Sequence, residues 1–350
     1  MAAMALSASV APVPALAQKA MQTDAQVATK AAPGVSPVVR FGILPLGGTF
    51  DSRTAWQPLL DDLSRAIGRP VEAVSTSSYA ALERAIGRDE VDVAFLSGKM
   101  ALDAVTTGRM NVAAQAARAD GPAAHRAVLV VRKDGPVSGL LALLAEPGRW
   151  RLARGDPRSV SGFILPQTQL FLPRGIRMET RFRSEMVGTH QTTALAVANG
   201  DADVATNSTT DLERFRQQFP VEAARLQVVW TSEPTSRGYL VVRRDAPAEV
   251  LVALHAFMAG YGRAPGPKGD AEREVLKGLH AGPGYAAAGN TALLPAAQMV
   301  RELARQQALA AQWVSEEARA GRLARIDQAY AAHVAALRTT TPDTDLPSRR

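Results

Sequence analysis

The chain has 350 residues, of which 47% are hydrophobic and 21% charged, with a formal net charge of +7 and no cysteine. This is the make-up of a folded protein with room for about two domains, which excludes wholesale disorder, disulfide staples, thiol catalysis and cysteine metal sites. No apolar stretch reaches the ~18 residues of a membrane-spanning helix, and arginines such as Arg132, Arg181, Arg243 and Arg301 are scattered without the aromatic-basic pattern of a nucleic-acid module, so the charge reads as a solvated basic surface with no nucleic-acid partner.

The opening stretch, MAAMALSASVAPVPALAQKA, is apolar and alanine-rich and ends in Ala15-Leu16-Ala17 before Gln18, the small-x-small pattern of a signal-peptidase site. Residues 1–17 are therefore predicted as a signal peptide for export to the periplasm, and 18–36, rich in Ala, Gln, Thr and Pro, as a flexible tether. No Lys or Arg precedes the apolar run, so the true start is expected upstream of Met1.

From Val38, VVRFGILP reads as a buried strand closed by Pro45. TAWQPLLDDLSRAIG follows, with Trp56, Leu59, Leu60, Leu63 and Ile67 at helical spacing and Gly68 as the stop. PVEAVS is a strand, SYAALERAIG a helix and VDVAFLSG a strand. Such alternation predicts an α/β fold with a mainly parallel sheet, helices on both faces, and ligands in the crevice beyond the strand C-termini.

Two distant segments are alike, AVLVVRKDGP (127–136) and GYLVVRRDAP (238–247). Between them WRLARGDP, DADVATNS and LQVVWTS read as strands, and SGFILPQTQLFLP and THQTTALAVANG as helices. The predicted division is a first lobe in 37–130, an inserted second lobe in 131–238, and a return to the first lobe plus C-terminal helices in 239–338. Residues 339–350 form a polar tail without expected order. The C-terminal helices include one long run from Pro295 to Leu337 and offer a surface for a homodimer. Two lobes imply a cleft.

GDPRSVSGFILP (155–166) sets turn-forming and hydroxyl residues directly before an apolar run. A helix start leaves N–H groups without intrahelical acceptors and carries partial positive charge, so Ser159 and Ser161 either cap this helix or hold an anion at it. His255 and His333 fall inside amphipathic helices, and His125 and His280 border turns. His190 differs, because it opens the second helix of the inserted lobe. If both helix starts face the crevice, Ser159, Ser161 and His190 converge into a site for a tetrahedral oxyanion. H-E-x-x-H, G-x-S-x-G, the Walker loop and G-x-G-x-x-G are all absent from the chain; no catalytic residue, metal or cofactor is expected, and His190 as a phosphate-accepting nucleophile lacks an activating base nearby in sequence.

In these residues the chain resembles the periplasmic phosphonate-binding proteins of ABC importers, within the wider phosphate/phosphite/phosphonate solute-binding group. The likeness runs from about Val38 to Pro265. It is most specific at FGILP, at the DPxSxSGF loop (156–163), at HQTTALAVANGDADVATNST (190–209) and at VVW with its following serine (228–232). The resemblance implies a two-lobed type II periplasmic binding fold that closes like a hinge on a small oxyanion and delivers it to an ABC permease, without chemistry. It carries the anion loop onto Ser159, Val160 and Ser161, the phosphonate-binding histidine onto His190 and the tyrosine of the first lobe onto Tyr79. A second family tyrosine falls on Leu96, with Lys99 nearby as a secondary candidate. Aminoethylphosphonate binders hold the amine with two carboxylates; the aligned positions here are Thr210, also a secondary candidate, and Gly238. Asp211 is adjacent, but one helical step turns a side chain by roughly a quarter to a third of a circle. The resemblance with these departures implies a phosphonate, phosphite or phosphate ligand without an amine. Two other readings stay open: a periplasmic sensor feeding a receptor kinase, and a phosphate-ester hydrolase or transferase on the same scaffold.

Overall fold

The computed structural model describes residues 38–117 and 124–339. The predicted signal peptide, the tether and residues 340–350 of the predicted tail lie outside the described residues. The chain begins with β1 (Val39–Ile43), α1 (Thr49–Ile67), β2 (Val71–Ser75), α2 (Tyr79–Gly87), β3 (Val93–Leu96), α3 (Gly98–Thr106) and β4 (Met110–Ala116). A second run holds β5 (Ala127–Arg132), α4 (Leu140–Ala145), β6 (Arg151–Arg154), a wide-turned helical segment (Val160–Ile164 and Pro166–Phe171) and α5 (Met178–Arg181). It continues through β7 (Ser184–Val187), α6 (His190–Asn199), β8 (Val204–Ser208), α7 (Thr209–Gln218), α8 (Pro220–Ala224) and β9 (Leu226–Thr231). The return comprises β10 (Tyr239–Arg243), α9 (Ala248–Gly260), α10 (Pro267–Gly278), β11 (Tyr285–Ala287), α11 (Leu294–Leu309) and α12 (Glu316–Thr339).

Two sheets result, in the strand orders β11-β4-β10-β3-β1-β2 and β7-β6-β8-β5-β9. Each is mixed. β1 pairs parallel with β2 and β3, and β6 parallel with β7 and β8, whereas β10 and β5 each run antiparallel between two neighbours. The expectation of a mainly parallel sheet is corrected accordingly: only β-α-β crossovers enforce parallel pairing, and each sheet also receives a strand that crosses from the other lobe.

The two look-alike segments take equivalent places in different sheets. β10 lies in the first, while β5 pairs with β8 and β9 in the second. The chain thus changes sheet before Ala127, not after residue 130 as the sequence division had it. β5 also shows why its sequence is an unbroken apolar run. Ala127, Leu129 and Val131 point into one core and Val128 and Val130 into another, on the two faces of the sheet, so neither alternate position can be polar.

The run from Pro295 to Leu337 is two helices that pack on each other, broken between Leu309 and Glu316. α11 touches both lobes. Its Ala296 and Ala297 belong to the core of the first sheet, and its Met299 and Leu303 pack on the core of the second. Among the described residues, no helix is long and apolar enough to cross a membrane.

Candidate functional site

Five helical segments begin where a strand ends, and each opens with a hydroxyl cap. Ser78 Oγ accepts from Ala81 N (3.2 Å) at α2, Ser97 Oγ from Met100 N (3.5 Å) at α3 and Ser159 Oγ from Gly162 N (3.0 Å) at the wide-turned segment. Thr189 Oγ1 accepts from Thr192 N (3.2 Å) at α6 and Ser208 Oγ from Asp211 N (3.0 Å) at α7. The strands before them are β2, β3, β6, β7 and β8. A single cavity of ≈ 20 Å³ is lined from all five starts, by Tyr79, Ser97 and Gly98, Ser159 to Ser161, His190 and Asp211. That is room on the order of one water molecule, so the lobes meet closely around this cavity. Five positive helix ends aimed at one point make a strong anion site.

The anion loop owes its shape to two glycines. Gly155 N donates to Gly162 O (3.1 Å) and to Thr206 Oγ1 (3.0 Å), and a Cβ on Gly155 would meet Gly162 Cα at 2.7 Å. Phe163 N and Ile164 N both donate to Ser159 O at 3.1 Å. This shared acceptor widens the first turn into the π form, a common device at functional sites. The two serines then divide the roles that the sequence left open. Ser159 is the cap, and its hydroxyl also bonds the buried Tyr79 phenol. Ser161 Oγ lies 3.1 Å from His190 Nε2.

His190 is buried and held by its backbone, whose carbonyl accepts from Asn207 Nδ2 (2.8 Å) and Thr193 Oγ1 (3.1 Å). Burial lowers its pKa, against the opposing pull of Asp211 and the Thr206 backbone, so the apo ring is neutral at pH 7. Asp211 Oδ2 accepts from Ser208 Oγ (2.6 Å) and lies 3.8 Å from His190 Nε2, while Oδ1 lies 3.6 Å from Arg214 Nη1. Burial alone would push the Asp211 carboxyl up; His190, Arg214, Ser208 and His125 together carry it down to about 2. Serine, histidine and aspartate thus meet, but not as a nucleophile relay. Ser161 and Asp211 approach the same ring nitrogen, whereas a relay needs the carboxylate on the opposite one.

Tyr79 closes the cavity from the first lobe, with Leu44 and Leu46 as apolar walls. Burial pushes its phenol pKa up, with the Ser159 hydroxyl pulling the other way. Lys99 faces away from the cavity, its Nζ 2.6 Å from Asp103 Oδ1. Thr210 Oγ1 sits 2.9 Å from His125 Nδ1, on the wall of a neighbouring, larger pocket. Leu96 is fully buried at the end of β3, and Ser97 beside it reaches the cavity instead. Gly238 admits no side chain, since a Cβ there would lie 2.5 Å from Phe95 Cζ and 2.9 Å from Leu96 O. Among the polar residues that line the cavity, Ser97, Ser236 and Arg237 were not singled out from the sequence, nor was His125 as a wall residue. Ser97 carried a readable signal, a serine between a strand and a helix. Arg237 carried none. Among the described residues, no group of three or more His, Asp or Glu side chains could hold a metal.

Direct bonds join the lobes around this cavity. Ser97 Oγ donates to Arg158 O (3.1 Å), Arg158 pairs with Glu83 (2.7 Å), and Gly48 N donates to Gln191 Oε1 (2.7 Å).

Residues 41–292 match the family model described as ABC transporter, phosphonate, periplasmic substrate-binding protein. The chain is 32% identical to the phosphonates-binding periplasmic protein of Escherichia coli over 235 residues, 67% of this chain and 69% of that protein. It is 24% identical to the phosphate-import protein PhnD of Mycolicibacterium smegmatis over 65% of this chain and 73% of that one. Its fold is similar to that of the binding protein component of an ABC phosphonate transporter from Pseudomonas aeruginosa, with a TM-score of 0.79, 28% identity, and coverage of 85% of this chain and 97% of that chain. The fold also matches PhnD1 of Prochlorococcus marinus, solved in complex with methylphosphonate, with a TM-score of 0.66, 17% identity, and coverage of 77% and 99%. The resemblance read from the four sequence motifs is thereby upheld, and the chain belongs to the phosphonate-binding periplasmic substrate-binding proteins of ABC transporters.

Proposed function

We propose that the interlobe cavity takes the head group of a phosphonate or phosphate-type oxyanion, and that the closed form hands it to the permease of an ABC importer. The chain is the substrate-binding component of such a transporter and not an enzyme. Ser161 Oγ, the first-turn N–H groups of Val160 and Ser161, and His190 Nε2 would hold the oxygens, with the Tyr79 and Ser159 hydroxyls completing the shell. Export to the periplasm and the signal peptide at 1–17 belong to the same reading.

The observation that carries it is the 3.1 Å approach of Ser161 Oγ to His190 Nε2 at the point where five helix starts meet. Those donors can serve several phosphoryl oxygens at once, each charge-assisted bond contributing roughly 1.5–3 kcal/mol. An amine on the ligand finds neither of the two aligned carboxylates: Thr210 stands at one position and Gly238, with no room for a side chain, at the other, while the Asp211 carboxylate already offsets Arg214 at 3.6 Å.

Calorimetric titration with methylphosphonate, phosphite, phosphate and sulfate tests this reading. At least one phosphorus oxyanion should bind, and Ser161→Ala and His190→Ala should each weaken it about tenfold or more. Unchanged affinity in both variants would remove the site assignment.

A further inference from the structure

Arg237 stands in the wall between two spaces. It lines the small oxyanion cavity and also an adjoining pocket of ≈ 490 Å³. A guanidinium has five N–H donors, yet this one has a single hydrogen-bond acceptor among the described residues, the Leu279 carbonyl, which Nη2 contacts. Its other neighbour is the face of Phe95, 5.8 Å from Cζ to the ring centre. No carboxylate among the described residues lies within ion-pair distance of it. Arg214 reaches toward the same Leu279 carbonyl, with Nη2 at 3.5 Å. Two cations therefore crowd one neutral acceptor, and Asp211, 3.6 Å from Arg214, is the one buried anion at hand. The cluster is short of one negative charge.

The larger pocket adds no unpaired anion. Beyond Arg237 it presents Arg216 and Lys277 with the imidazoles of His125 and His280, and its one carboxylate, Glu213, is bound by Arg216 at 3.0 Å. We infer that the substituent of the ligand carries a second acidic group, and that Arg237 recognises it: the preferred ligand is a phosphonate bearing a carboxylate one or two carbons from phosphorus. The phosphonate head is served by helix starts, hydroxyls and His190, which leaves the guanidinium for the tail. An ammonium in the same place would face the Arg237 guanidinium, with Asp211 already shared with Arg214, whereas a carboxylate takes two parallel N–H bonds from it. This inference rests on the oxyanion reading of the cavity and fixes which members of that class fit.

The test is a calorimetric panel of methylphosphonate, phosphonoacetate, 3-phosphonopropionate and 2-aminoethylphosphonate on the wild-type chain, Arg237→Gln and Arg237→Lys. Wild type should bind one of the two phosphonocarboxylates about tenfold or more tighter than methylphosphonate, the worth of one charge-assisted pair, and 2-aminoethylphosphonate more weakly than methylphosphonate. Arg237→Gln should bring the carboxylate preference down to about threefold or less, and Arg237→Lys should keep part of it. A wild-type preference below about twofold, tighter binding of 2-aminoethylphosphonate than of methylphosphonate, or a preference untouched in Arg237→Gln would each overturn the inference while leaving the oxyanion site intact. The wild-type comparison decides even where a variant does not fold. Failure of all four ligands and of phosphate to bind would instead bring down the oxyanion reading itself.

Discussion

Replacing Gly162 by alanine separates the shape of the anion loop from its chemistry. The new Cβ would sit 2.8 Å from Gly155 Cα and 2.8 Å from Ser159 Oγ. Gly155 cannot retreat freely, because its N–H is bonded to Gly162 O and Thr206 Oγ1. The turn must move instead, and with it the Ser159 cap. Overpacking of this kind costs about 1–3 kcal/mol, and a weakened cap adds about 1 kcal/mol, so unfolding free energy should fall by ~2–4 kcal/mol. Displacing Ser161 Oγ and the first-turn N–H groups forfeits at least one charge-assisted bond, roughly a ten- to hundredfold loss of affinity. Denaturant unfolding and calorimetry with methylphosphonate read the two effects separately. Gly87→Ala is the matched control: its Cβ meets nothing within 4 Å, and it should leave affinity unchanged and stability equal or up to ~1 kcal/mol higher. If Gly162→Ala binds within about threefold of wild type and unfolds within ~0.5 kcal/mol of it, the close glycine pair does not shape the site.

Two further outcomes follow from the same geometry. Glu83→Ala removes the Arg158 bridge between the lobes; because both side chains are partly exposed, the bridge contributes about 0.2–1 kcal/mol to closure, and affinity should drop by roughly 1.4- to fivefold. No change in affinity, with an unchanged radius of gyration in small-angle scattering of the apo chain, would show that the bridge does not hold the lobes together. Acid should destabilise the fold in two steps. Burial lowers the His125 pKa from 6.5 to about 4, so the unfolded chain takes up the proton first and stability is lost as pH falls between those values, by an amount on the order of 3 kcal/mol. Asp211, held at about 2 against 3.8, keeps its contribution above 3.8 and loses on the order of 2 kcal/mol as pH falls to about 2. Urea unfolding from pH 7 to 3 should show the first decline, and His125→Gln should make it shallower, with the other buried imidazole, His190, keeping part of it; a flat wild-type profile over pH 7 to 4 would contradict the lowered His125 pKa.

Much of the fold was legible because burial writes itself into local sequence. β1, β3 and β5 appear as apolar runs, and α1 as a stripe from Trp56 to Ile67 closed by Gly68 in the left-handed conformation. What local pattern cannot carry is the origin of a strand's neighbours. β5 and β10 read alike, and only pairing across the chain assigns them to different sheets. The π widening after Ser159 was equally hidden, since over five or six residues a period of 3.6 and a wider turn produce the same apolar spacing. At the site, the serine and histidine motifs were visible, whereas the caps at Ser78, Ser97 and Ser208 went unread although each is a serine between strand and helix. Arg237 was one arginine among many. Its role comes from the crossing of the chain that brings it to the Leu279 carbonyl, 42 residues away, and no window of sequence contains both.

The way the closed cavity is held bears on how such a protein lets go. Its polar interlobe contacts include a half-exposed ion pair and neutral hydrogen bonds from Ser97, Gly48 and Gln191, each contributing about 1 kcal/mol or less, beside Arg214 at the Leu279 carbonyl and the packing of α11 on both cores. Against these stands the cost of gathering five positive helix ends, Arg214 and Arg237 around a space whose one buried carboxylate is Asp211. A dianionic head group binds the closed form far better than the open one, and that differential affinity is what shifts the population. On the proposed reading, the charge of the ligand therefore adds to closure beyond what these interlobe contacts supply.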